Sequence, residues 1–280
     1  MKTLGYYNGK FDEIENMTVP MNDRACYFGD GVYDASYSRY YNIFALDEHI
    51  DRLYNSAKLL RINIKQTKEE MKSILLEMLR KMDTDENFVY WQVTRGTAPR
   101  NHIFPKNADA NLWIMITPKK IAPMTKIMKL ITRPDTRFLH CNIKTINLIP
   151  SVIGAQEAEE NGCDETVFHR DGIVTECSHC NVHILKDGVF RTHPTNNLIL
   201  PGIARAHIIK ACRKLGITVD ETPFELDDMY NADEIIVSSS SFLCMQAESV
   251  DGKAVGGRAP ELLKALQNEV FTEFDEDTRK

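Results

Sequence analysis

Apolar residues recur at two spacings along this chain, and the spacing changes often. Period-two alternation marks LGYYNGKF, with an Asn8-Gly9 turn, and VYDASYSRYYNIFAL, with a bend expected near Tyr41-Asn42. Helical spacing follows. Ile50, Leu53, Ala57 and Leu60 recur within DEHIDRLYNSAKLL, and TKEEMKSILLEMLRKM opens on a capping box of Thr67 and Glu70. The runs FVYWQVTR and ANLWIMITP read as strands. PKKIAPMT (118–125) bears prolines and has no periodicity, so it reads as a linker.

Beyond the linker come a strand at KIMKLITR and a helix over 151–162, then hairpins that turn at Asp171-Gly172 and Asp187-Gly188. A helix GIARAHIIKACRKL runs to Gly216, DEIIVSSSSF is a strand ending in serines, and APELLKALQNEVFTEF is the closing helix, with the tail EDTRK expected to fray. Strands and helices alternate irregularly among many hairpins. That pattern predicts an α+β chain in two domains, 1–117 and 126–280, joined by 118–125, and argues against a doubly wound parallel sheet.

Composition narrows the class. The 280 residues are 43% hydrophobic and 26% charged, which suits two packed cores and excludes a disordered chain. The net charge of -6 comes without a basic block, so nucleic acid is not an expected partner. No run approaches the roughly 18 apolar residues of a membrane span, and MKTLGYYNGK has no apolar leader segment, so a soluble cytoplasmic protein is expected. Seven cysteines, odd in number and scattered, fit reduced thiols.

A few stretches carry candidate chemistry. In HCNIKTINLIPS, Lys144 sits among Ile143, Ile146, Leu148 and Ile149, either as a snorkelling side chain or as a reactive amine. Pro201-Gly202 opens a helix whose first amides suit an anion, and Ser238 to Ser241 add hydroxyl donors at a strand end. An ordinary helix start and serine turn is the plainer alternative. Glu176 ends the strand in IVTECSHCN. Arg100 and His102 in TRGTAPRNHIFP face the same way if their loop is extended, which makes a carboxylate trap. The CSHC run at 177–180 invites a redox or zinc reading, but no second Cys-x-x-Cys completes a tetrahedral set and no metal is expected. Walker, GxGxxG, Gly-x-Ser-x-Gly and His-Glu-x-x-His motifs do not occur, which removes nucleotide, serine hydrolase and metalloprotease readings.

An amine, a carboxylate, an anion cradle and a carboxylate clamp are the parts that pyridoxal phosphate chemistry requires. The blocks DRACYFGDGVYD (23–34), EHIDRLYNSA (48–57), YWQVTRGTAPRNHIFP (90–105), NIKTINLI (142–149), VTECSHCNV (174–182), THPTNNLILPGIAR (192–205) and DEIIVSSSS (233–241) carry a resemblance to the fold-type IV pyridoxal-phosphate aminotransferases, and to their D-amino-acid transaminases in particular. The resemblance implies a small N-terminal α/β domain and a larger, β-rich C-terminal domain with the cofactor between them. It implies that Lys144 forms the internal aldimine and moves the substrate proton, and that Glu176 pairs with the pyridine nitrogen. Arg52, the Ile203 and Ala204 backbone, Ser239 and Ser240 would hold the phosphate, and Leu200 would pack on the ring. Tyr33, Arg100 and His102 would grip the substrate carboxylate, with Tyr90 lining the pocket. Arg100 and His102 would come from the neighbouring subunit of a homodimer.

The implied reaction exchanges D-alanine and 2-oxoglutarate. Within the same fold the alternatives are a branched-chain L-amino-acid transaminase and aminodeoxychorismate lyase; the Arg-x-His pair speaks against the former. A non-catalytic binding protein is a third reading, opposed by the retention of Lys144, Glu176 and Arg52 together. Two departures stand out: Ala204 replaces a common threonine near the phosphate, and Cys177, His179 and Cys180 replace small residues after the glutamate.

Overall fold

Strand β1 (Leu4–Tyr7) turns through Asn8 and Gly9, both at positive φ, into β2 (Lys10–Asp12) in the computed structural model, which describes residues 3–280. The Asn-Gly pair is what a two-residue turn between twisted strands demands. Next come α1 (Arg24–Phe28), β3 (Gly31–Arg39), β4 (Asn42–Ile43), α2 (Leu46–Leu59), α3 (Lys68–Leu79), β5 (Asn87–Thr94) and β6 (Asn111–Pro118). The bend between β3 and β4 falls at Tyr40-Tyr41, both at positive φ, one residue earlier than the sequence pattern suggests. The Thr67/Glu70 capping box opens α3 as expected.

These strands form one antiparallel sheet in the order β2-β1-β6-β5-β3-β4. One face carries Val89, Trp91, Val93, Leu112, Ile114 and Ile116 into a core with Ile50, Leu53 and Ala57 of α2 and Met71, Leu75 and Leu79 of α3. Period-two alternation decides the rest. Asp34, opposite Trp91, shares that helix-covered face, whereas Tyr33, Tyr90 and Gln92 turn to the other.

The chain divides into two compact units, and the first holds residues up to 121 together with 143–147 and 275–280. The sequence pattern places 143–147 with the second half instead. The difference has a backbone cause: residues 144–146 run beside the start of β3, with Tyr33 N donating to Lys144 O at 3.0 Å, Ile146 N to Gly31 O at 3.2 Å, and a Val32–Thr145 bridge. Nor does the tail fray, since the closing helix continues to Thr278. Asp275 pairs with Arg39 at 2.6 Å and Asp277 accepts from Ala45 N at 2.8 Å, bonds no local pattern foretells.

The second unit spans 122–142 and 148–274. It contains β7 (Ile127–Pro134), α4 (Ile149–Glu160), β8 (Glu165–Arg170), β9 (Ile173–Cys177), β10 (Asn181–Lys186), β11 (Val189–Thr192), α5 (Ile203–Lys214), β12 (Thr218–Asp220), α6 (Leu226–Tyr230), β13 (Glu234–Ser238), β14 (Met245–Val250), β15 (Lys253–Ala254) and most of α7 (Pro260–Thr278). Its mixed sheet runs β12-β11-β10-β13-β14-β7-β8-β9, with β15 beside β14. Met128, Leu130, Val167, Val182, Ile184, Ile235, Val237 and Met245 form its core. Helix α4 lies close on β8 because Gly154 has no side chain: a Cβ there would come within 2.7 Å of the Phe168 ring. Among the described residues, no helix is long and apolar enough to cross a membrane.

Candidate active site

Lys144 lies in the first unit, half-buried, with its backbone fixed on both sides: its N donates to Ser56 Oγ of α2 at 3.2 Å and its O accepts from Tyr33. Its Nζ stands 4.3 Å from the centre of the Tyr33 ring. Tyr33 in turn stacks on Tyr90 at 5.3 Å, and Tyr90 donates its hydroxyl to Gln92 Oε1 at 2.7 Å. Burial pushes the Tyr90 phenol above its ordinary value, so it stays a neutral donor. Strand alternation therefore delivers an amine and two phenol rings to one face. The apolar neighbours of Lys144 divide: Ile143 joins the first unit's core, while Ile149 is 70% exposed.

Arg52 is held on the opposite, helix-covered side of β3. Asp34 accepts Nε and Nη2 of Arg52 at 2.9 and 2.7 Å, and Nδ1 of His49 lies 2.7 Å from Asp34 Oδ1. Burial alone would raise the Asp34 carboxyl; Arg52 and His49 overturn it and hold the group well below the carboxylate range. His49 is pulled below its ordinary value by burial, against the pull of Asp34. This planar, bidentate bond orients the guanidinium before any ligand arrives.

Arg100 and His102 occupy an exposed loop and converge on one ring. The Arg100 guanidinium stands 5.2 Å from the centre of Phe28, and the His102 ring 5.1 Å from it. Arg24 donates to the Asn101 carbonyl at 2.6 Å and pins the residue between them. Both side chains thus lie at the Phe28 ring, from bends of the loop and not from the extended run the sequence reading supposed.

In the second unit Glu176 is buried and hydrogen-bonded through both carboxylate oxygens. Its Oε1 takes Arg137 Nη1 at 2.5 Å; its Oε2 takes Asn181 Nδ2 at 2.9 Å and Leu200 N at 3.0 Å. Arg137 also pairs with Asp135 and lies against Phe168. Burial would lower the Arg137 guanidinium, but Glu176 and Asp135 hold it above its ordinary value. Gly202 precedes α5 and gives it no side-chain cap, and an added Cβ would run into Asn181 Oδ1. The helix start thus packs against the residue that holds Glu176. Ser239 and Ser240, both half-buried, follow β13, and Ser239 Oγ accepts from Ser241 N at 3.1 Å.

Glu176, Leu200, Ile203, Ala204, Ser239 and Ser240 therefore belong to the second unit, and Lys144, Arg52, Tyr33, Tyr90, Arg100 and His102 to the first. The structure adds Arg137 and Asn181 beside Glu176, and Asp34 and His49 beside Arg52. His49 and Arg52 at i, i+3 on one helix face, next to an aspartate inside an alternating strand, were a usable signal; Arg137 offered none. Cys177 and Cys180 are buried free thiols. Cys180 Sγ and Ser178 Oγ both donate to Glu165, at 3.2 and 2.5 Å, and His179 Nδ1 lies 2.6 Å from it. This local cluster satisfies a buried carboxylate. Among the described residues, no three His, Cys, Asp or Glu side chains are grouped to hold a metal ion.

The amino-transferase class IV family matches residues 31–250. The chain is 36% identical to the D-alanine aminotransferase of Bacillus licheniformis, over 98% of both chains. It is 39% identical to that of Listeria monocytogenes serotype 4b (strain F2365), over 95% of this chain and 94% of the relative. In structure it superposes on the branched-chain aminotransferase of the thermophilic archaeon Thermoproteus uzoniensis, solved with norvaline, with a TM-score of 0.87. That likeness holds at 22% identity over 98% of this chain and 96% of the other, and speaks for the fold alone. The family match and the near-full-length relatives lead to one conclusion: this chain belongs to the class IV aminotransferases, as a fold-type IV enzyme of the D-amino-acid transaminase type.

Proposed function

We propose that this enzyme moves the amino group between D-alanine and 2-oxoglutarate, using pyridoxal 5'-phosphate. The observation that carries the substrate reading is the convergence of Arg100 and His102 on Phe28, which presents a guanidinium and an imidazole together, as a carboxylate clamp requires. The residues also suit the cofactor. The start of α5, without a side-chain cap, offers amides to a phosphate, Ser239 and Ser240 add hydroxyls, and Glu176 offers a buried acceptor for a ring N–H. Ala204 contributes only its amide there. When bound, the cofactor supplies the electron sink that makes the substrate Cα–H acidic.

In this reading Lys144 supplies the amine that carries the cofactor and then holds and returns the Cα proton. The Tyr33 ring beside Nζ keeps the amine directed and limits water around it. Arg52, pre-oriented by Asp34, binds phosphate, and Leu200 packs against the ring with its amide already committed to Glu176. Tyr33, Tyr90, Arg100 and His102 form the substrate pocket, the last two acting on a neighbouring subunit. Exposed apolar side chains support burial against a second copy: Met21 and Ile103 in the first unit, and Ile149, Val152 and Ile153 in the second. The seven free thiols fit a reducing cytoplasm.

The test is spectroscopic and kinetic. Cofactor-loaded protein should show a visible band that Lys144→Ala abolishes, and Arg100→Ala should keep the band while losing D-alanine turnover. No band on cofactor addition would overturn the proposal. Assaying D-alanine, L-leucine and aminodeoxychorismate side by side decides among the reactions this fold supports.

A further inference from the structure

A line of buried polar side chains crosses one face of the second unit's sheet, apart from Glu176 and its partners. Strand register sets His183 of β10 opposite Thr192 of β11 and Ile236 of β13, so Thr192, His183 and Ser238 share a face. His183 Nδ1 lies 2.8 Å from Thr192 Oγ1, and its Nε2 lies 2.8 Å from Ser238 Oγ. Arg205, in the first turn of α5, donates from Nε to Thr192 Oγ1 at 3.1 Å and from Nη2 to Glu221 at 2.7 Å. His183 is 0% exposed, Thr192 1%, Ser238 2% and Arg205 4%. Polar groups this deeply buried must be paired, and here each is.

Arginine only donates, so Thr192 Oγ1 accepts from it, and the two ring nitrogens of His183 bridge the Thr192 and Ser238 hydroxyls. Burial and the nearby Arg205 hold His183 well below its ordinary value, so the imidazole is neutral and one ring nitrogen donates while the other accepts. At one end the line joins α5, whose first residues are Ile203 and Ala204. At the other it joins the residue before Ser239 and Ser240. Asn181, opposite Ser238 in the ladder, abuts Gly202 on the same face.

We propose that His183 is a positioning residue for the phosphate cradle: with Arg205, Thr192 and Ser238 it braces the α5 start against the Ser238–Ser241 turn. The inference rests on the cofactor reading given under Proposed function. Neither half of the cradle is covalently near the other, and the brace is a buried polar connection between them.

The experiment titrates apoprotein with pyridoxal 5'-phosphate and, separately, with pyridoxal, which lacks the phosphate. Wild type is compared with His183→Leu, His183→Gln and Ser238→Ala. His183→Leu and Ser238→Ala should weaken binding of the phosphorylated compound by about 10- to 100-fold, the worth of a hydrogen bond to a charged group, and pyridoxal by less than about 2-fold. His183→Gln, which keeps one donor and one acceptor, should recover much of the loss. The double variant should bind no more weakly than His183→Leu alone, because both break one line. Parallel weakening of both compounds, or of neither, overturns the brace and leaves the cradle standing. A wild type that binds the two compounds equally overturns the cradle reading, and the brace with it. If His183→Leu does not fold, Ser238→Ala decides the matter.

Discussion

Replacing Asp34 by asparagine keeps the shape of the side chain and removes its charge from a fully buried site. Asp34 is fully buried and answers the charge of Arg52 through two bonds and the His49 ring through a third. At an effective dielectric of about 20, unit charges about 4 Å apart attract by about 4 kcal/mol, and stranding a buried charge by removing its partner costs about 3–5 kcal/mol. The variant should lose about 3 kcal/mol of stability at neutral pH, the low end of that range. Urea unfolding followed by tryptophan fluorescence reads this directly, since Trp91 and Trp113 both lie in the first unit and Trp91 meets His49 edge-on at 6.0 Å. The folded carboxyl is held below its unfolded value, so its contribution is complete above about pH 4 and drains away as pH falls through the folded value. The gap between wild type and variant should therefore narrow in acid. Pairing the change with Arg52→Met, which removes the charge that Asp34 answers, should recover much of the loss. A single variant that loses less than about 1 kcal/mol, the scale of a surface ion pair, would show that Asp34 does not hold a buried charge.

Other consequences can be checked independently. His49, His183 and His193 are each held below their ordinary value by burial, so each contributes stability that is complete above about pH 6.5 and is lost as pH falls; up to about 1.4 kcal/mol per pH unit is at stake for each proton. The urea midpoint should fall between about pH 7.5 and about pH 5.5, and an unchanged midpoint contradicts this. Gly202→Ala drives a Cβ into Asn181 and should cost about 1–3 kcal/mol in thermal unfolding, together with weaker cofactor binding by titration. In native protein a thiol reagent should modify exposed Cys26 first. Cys141, Cys177, Cys180, Cys212 and Cys244 are buried, with Cys141 pushed up to about 11 and Cys212 to about 12, and should react only after unfolding.

The hairpins were legible because their turns are chemical. Asn8-Gly9, Asp171-Gly172 and Asp187-Gly188 all adopt the positive φ that these residue types tolerate. Helix α1 was not legible: five residues give no period, and its cap, the Asp23 carboxylate accepting from Ala25 N at 2.8 Å, looks like any loop aspartate. The tail looked frayed because Asp275 and Asp277 find their partners more than two hundred residues away. The place of 143–147 in the first unit escaped the sequence pattern for the same reason, since strand pairing with β3 is invisible to local periodicity.

The candidate site divides similarly. Pattern alone left Lys144 between surface and catalyst, and the resemblance supplied its role. Geometry then added what neither gave: Asp34 and His49 behind Arg52, and Arg137 and Asn181 behind Glu176. These partners are set by strand register and by loops such as the one carrying Arg137. Their spacing in sequence carries no repeat to read.

If the Lys144 amine serves D-amino-acid transamination, turnover of each enantiomer of alanine with 2-oxoglutarate, in wild type and in Lys144→Ala, both supplied with pyridoxal 5'-phosphate, is decisive. Wild type should turn over D-alanine in preference to L-alanine, and the variant neither. Turnover that survives in Lys144→Ala, or a wild type that prefers L-alanine, rules this role out.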